Sequence, residues 1–124
     1  MTVSSGLAFV PLAVTPTYCA TKAAIHSYAQ SLRYQLQHTP VEVLELIPPY
    51  VQMELLGPGQ LTDPNAMPVK DFISETMQIL KHSPETTEIC LQRVKPLRHA
   101  EANGNYDVFF RTFNERTAST HDTW

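Results

Sequence analysis

Apolar and polar positions alternate with changing period along the chain, and each change marks an element. "TVSS" (2–5) is short and partly β-branched and ends in a Ser-Ser-Gly turn signal. It predicts a buried strand whose beginning lies upstream. "GLAFVPLAVTP" is unusually apolar for a loop, so it is expected to pack on something. Over 17–37, apolar side chains at Ala24, Ile25, Tyr28, Ala29, Leu32 and Leu36 recur near every 3.6 residues, which predicts a helix. Pro16 suits its first position and Thr15 its cap. "VEVLELIPP" (41–49) is too apolar for a strand with one wet face. It predicts a central strand covered on both faces, with Glu42 and Glu45 toward its ends or edges.

The stretch 50–67 is broken by Gly57, Pro58, Gly59 and Pro64 and reads as irregular, with one helical turn at 52–56. An amphipathic helix follows over 68–83, with Val69, Phe72, Ile73, Met77 and Leu80 on one face. "TEICLQRV" (87–94) reads as a short strand. A last helix is expected over 105–116, striped by Phe109, Phe110 and Phe113. Strands alternating with helices give an α/β fold: a parallel sheet of about three strands with covering helices. The chain of 124 residues suits one domain, taken here as 1–116 with a flexible tail at 117–124.

Composition narrows the function classes. Apolar residues are 43% and charged residues 17%, which is globular. The net charge of -3 and the lack of a basic block give nucleic-acid binding no electrostatic support. No apolar run is long enough to span a membrane. The N-terminal stretch lacks the positive region of a signal peptide. Two cysteines, Cys19 and Cys90, form no CxxC pair and are expected to be reduced thiols of a cytoplasmic protein. The five histidines lack ligand spacing, so no metal is expected; His38 and His82 suit helix C-termini.

The candidate chemistry lies in "TPTYCATKAA" (15–24). Tyr18 and Lys22 are four residues apart and share a helix face. A phenol is a poor acid or base at neutral pH. An ammonium about 4 Å away favours the phenolate by up to ~4 kcal/mol at an effective dielectric of ~20. Such a tyrosine can exchange a proton with a carbonyl oxygen. A hydroxyl that holds the substrate oxygen completes the set, and "VSSG" offers Ser4 and Ser5 at a strand end, where sites form in parallel sheets.

The thirteen residues from Ser5 to Tyr18, followed by "YCATK", resemble the short-chain dehydrogenase/reductase family. "YCATKAAIHSYAQSLRYQL" is similar to its active-site helix, and "VEVLELIPPYVQMEL" to the next strand and the loop over the nicotinamide. "KDFISETMQIL" and "EICLQRVKPLRHAEANGNYDVFFRTFN" resemble the C-terminal part of a DltE-like subgroup. The likeness covers roughly 2–115. It implies the C-terminal catalytic half of a Rossmann-type sheet and an NAD(P)-dependent carbonyl reduction or alcohol oxidation on a small molecule. By this resemblance Ser5 hydrogen-bonds the substrate oxygen. Tyr18 is the acid or base, and Lys22 assists it and binds the nicotinamide ribose. Val51, after the Pro48-Pro49 turn, offers its backbone to the carboxamide. Met53 stands where the family often has a threonine.

The glycine-rich turn that receives pyrophosphate in that family has no counterpart here, because Gly57 and Gly59 enclose a proline and precede no strand–helix unit. The expectation is therefore a fragment lacking the dinucleotide-binding half, needing self-assembly or a partner chain. A rival expectation is a non-catalytic module that associates with a related oxidoreductase through the helix 18–37. The apolar stripe of that helix serves either a subunit interface or its own sheet. Cys19 is expected to be a small buried hydrophobe.

Overall fold

The computed structural model of the chain describes residues 1–118. In order it has β1 (Thr2–Val3), α1 (Pro16–Gln35), β2 (Glu45–Ile47), α2 (Val69–His82), β3 (Glu88–Cys90), α3 (Lys95–Arg98) and α4 (Tyr106–Ala118). Short 3-10 turns occupy Gly6–Ala8, Pro58–Thr62 and Gln92–Val94. The three strands form one parallel sheet in the order β1-β2-β3, as alternation of strands and helices requires. Thr2 sits beside Glu45 and Glu45 beside Glu88. Side chains two apart share a face, so Ser4, Glu45 and Glu88 look to one side of the sheet. α1 crosses on that side, since His26 reaches Glu45. Phe72 of α2 packs with Leu46 on the core of Ile47, Met67, Leu91 and Val94. Each such large aliphatic side chain, once buried, contributes about 1.5–3 kcal/mol. No helix among the described residues is long and apolar enough to cross a membrane.

The structure redraws several boundaries. β2 covers only 45–47, and Val41, expected inside a two-faced strand, is exposed. Glu45 opens β2, a strand end as expected, but it lies on the central strand and is fully buried rather than at an edge. The helical turn expected at 52–56 is replaced by the 3-10 turn Pro58–Thr62, which Gly57 enters at φ 112°, a conformation open to glycine. β3 ends at Cys90, and 92–94 turn into α3. Val94 and Leu97 there sit under Gly6, where an added Cβ would meet Val94 Cγ1 at 3.1 Å. Thr15 takes the cap position of α1, but its hydroxyl makes no capping bond. α4 runs to Ala118; of the tail expected at 117–124, the last six residues lie outside the described ones.

Candidate active site

β1 delivers Ser5. The amides of Ser4 and Gly6 donate to Leu46 O and Pro48 O of the neighbouring strand, at 3.0 and 3.3 Å. Ser5 itself caps the turn Gly6–Ala8, its Oγ accepting from Leu7 N–H at 3.1 Å. That contact uses a lone pair and leaves the hydroxyl hydrogen free to donate.

α1 delivers the pair that the sequence singles out. Tyr18 is half-buried, and Lys22 Nζ stands 5.5 Å from the centre of its ring. Nζ also donates to Val3 O at 3.2 Å. Thr2 and Ser4 turn their amides toward β2, so Val3 turns its peptide groups to the open edge of β1. The lysine thus ties α1 to the strand two residues before Ser5. Tyr18 and Lys22 are together, and Lys22 reaches the strand end. Ser5 is held in its turn two residues beyond Val3, with no hydrogen bond to Tyr18 or Lys22 among the described residues.

The stretch joining Ser5 to Tyr18 is pinned at four consecutive backbone groups. Leu12 N–H donates to Cys19 Sγ and Leu12 O accepts from it, at 3.3 and 3.7 Å. Asn114 of α4 accepts from Ala13 N–H at 2.7 Å and donates to Pro11 O at 3.1 Å. An amide side chain here imitates a neighbouring strand. Cys19 is buried, as expected, and both cysteines are free thiols. Burial, and then the Glu88 carboxylate, push the Cys90 thiol up.

At the far end of β2, Pro48 and Pro49 are half-buried and Val51 is buried. Val51 bridges Met67, and its carbonyl accepts from Gln60 Nε2 at 2.6 Å. Met53 is exposed in the loop beyond.

Behind the site is a polar cluster that sequence reasoning missed. His26 Nδ1 lies 2.9 and 3.0 Å from the two oxygens of Glu45, and Ser4 Oγ donates to Glu45 Oε2 at 2.6 Å. Glu88 accepts two bonds from Arg98, at 2.8 and 3.0 Å, which hold its carboxyl below the usual range. The Phe9 ring stands edge-on to His26 and under the Arg98 guanidinium, 4.7 Å from each. Ligand atoms of His26, Glu45 and Glu88 come within 4.8 Å of one another. Arg98 already occupies Glu88, so the set is built as an ion-pair and hydrogen-bond network. The partners are 19 and 41 positions apart in sequence, and only the sheet register brings them together.

The sequence model of the short chain dehydrogenase family matches residues 1–61, the segment that carries Ser5, Tyr18, Lys22 and the turn after β2. Over residues 1–61 the chain is similar to the short chain dehydrogenase family. The chain is also 41% identical, over 115 residues and 90% of its length, to an uncharacterized oxidoreductase, DltE, of Bacillus subtilis (strain 168). It spans 44% of that relative's length. No solved structure matches it. The short chain dehydrogenase match covers β1, α1 and β2, and the identity extends the likeness past them.

Proposed function

We propose that this chain is the catalytic segment of an NAD(P)-dependent short-chain oxidoreductase that interconverts a carbonyl and an alcohol on a small molecule. The observation that carries the reading is Lys22, shared between the Tyr18 ring and the strand end that leads into Ser5. In the reducing direction Ser5 donates its free hydroxyl hydrogen to the substrate oxygen and fixes it. Tyr18 Oη gives its proton to that oxygen as the carbonyl carbon is reduced, so the product leaves as an alcohol. Lys22 stabilises the phenolate left behind. A bound nicotinamide supplies the hydride to the carbon, and in the oxidising direction Tyr18 is the base.

The residues fit one end of that cofactor. Lys22 suits the ribose hydroxyls, and the Val51 N–H after Pro48 and Pro49 suits the carboxamide. They do not offer a pyrophosphate cradle. Gly6 is filled by Val94 and Leu97, and Gly57 and Gly59 flank a proline at a five-residue turn. In this reading a second copy or a partner chain completes the dinucleotide site. Two free thiols suit a cytoplasmic setting.

A second reading is an interaction module without turnover that docks through α1. It is favoured by Tyr28 and Tyr34, 63% and 75% exposed on that helix. Calorimetry with NADPH and NADH, beside Tyr18→Phe as a folding-matched control, separates the two. Saturable binding followed by reduction of small carbonyls, abolished in Tyr18→Phe, supports the enzyme. A folded chain that binds neither nucleotide, yet forms a stable complex without turnover, supports the module.

A further inference from the structure

Glu45 is a carboxylate with no exposure at all, on the middle strand. Burying such a charge costs several kcal/mol unless donors surround it. Its donors come from the two elements that carry the reacting groups. His26 follows Tyr18 and Lys22 at the same four-residue step along α1, and Ser4 directly precedes Ser5 just after β1. Nδ1 faces both carboxylate oxygens and therefore carries the imidazole hydrogen. Phe9 closes the ring off on its other side, and Glu88 beside the pair is neutralised by Arg98. An apolar pair would fill this space at no desolvation cost. What the polar pair adds is direction, because hydrogen bonds fix a helix in rotation and register where dispersion lets it slide.

We propose that His26, acting through Glu45 and Ser4, is a positioning residue that sets the Tyr18–Lys22 face of α1 against Ser5. The inference rests on the reading of Ser5, Tyr18 and Lys22 as the reacting set. His26 touches neither substrate nor cofactor; it acts by holding two elements to one carboxylate. A displacement of about 1 Å between reacting groups can lower a rate by 10²-fold.

The test compares the full chain with His26→Ala, His26→Asn and Val43→Ala, the last a packing loss that removes no hydrogen bond of the network. His26→Asn keeps an N–H close to the place of Nδ1. Nicotinamide-dependent reduction of a panel of small carbonyls is measured, with thermal stability and amide and aromatic NMR spectra of each variant. The expected result is a kcat about 10- to 100-fold lower in His26→Ala with KM nearly unchanged. His26→Asn recovers most of the rate, and Val43→Ala keeps kcat at an equal loss of stability. An unchanged kcat in His26→Ala, or an equal loss in Val43→Ala, overturns the proposal. If wild type and Tyr18→Phe are both inactive, the reaction reading fails and the spectra decide. Ser5 to Leu7 amides and Tyr18 ring signals that shift in His26→Ala, return in His26→Asn and stay in place in Val43→Ala uphold the positioning role. Signals that do not shift overturn it.

Discussion

Glu88 and Arg98 meet through two parallel hydrogen bonds on partly buried groups, the geometry in which an ion pair contributes measurably. The Arg98 guanidinium, more than any other neighbour, holds the Glu88 carboxyl below its usual range. The unfolded chain then takes up the proton first as pH falls. The stabilisation is complete above the ordinary value of about 4.3 and is lost as pH drops through the folded one. Thermal melts of wild type and Glu88→Gln should differ most near neutrality, and the gap should close on acidification below about 4.3. At this scale Tyr18 and Lys22 were legible, because a four-residue step on a helix is a local fact. Glu45 was not. A glutamate in an apolar run reads as a strand-end or edge residue, and its full burial shows only once the fold supplies Ser4 and His26 as its donors.

At the scale of elements, α4 acts on the site from a distance. Asn114 holds Pro11 and Ala13 through two bonds, each contributing about 0.5–1.5 kcal/mol. Asn114→Ala should raise hydrogen exchange at Ala13 several-fold and leave exchange in β2 unchanged, measured by mass spectrometry or NMR. Asn114→Asp should loosen the loop as well, since a carboxylate cannot donate to Pro11 O. The helices were readable from their 3.6 period and prolines, and α1 begins at Pro16. Strand lengths were not. The apolar run at 41–49 contributes three paired residues, Glu45 to Ile47, because β1 pairs with only two of them and β3 with three. α3 was hidden because Val94 and Leu97 pack as a short turn under Gly6, a contact between segments far apart in the chain.

At the scale of the whole molecule, apolar side chains remain uncovered. Ile73 and Met77 on α2 are 53% and 58% exposed, and Val3 faces outward on the edge strand. The sequence places Val69, Ile73 and Met77 on the same apolar face as Phe72, yet only Phe72 reaches the core. Periodicity tells which face is apolar; it does not tell how wide the covering layer is. Such surface promotes association. Ile73→Lys with Met77→Lys should lower the apparent mass in sedimentation velocity and raise solubility, with the circular dichroism spectrum unchanged. An identical mass distribution would assign the association, if any, to another face.

The sheet register also sets a timetable. Each strand pairing spans 43 residues, from Thr2 to Glu45 and again from Glu45 to Glu88. A ribosome adds about 5–20 residues per second. Within this chain β1 therefore waits about 2–9 s for its neighbour, and β2 waits as long again for β3. Through that interval α1 has no sheet to lie on and the Glu45 carboxylate has no enclosure. Residues that settle β2 early, its own Leu46 and Ile47 foremost, govern how long the nascent chain stays exposed to chaperones and proteases.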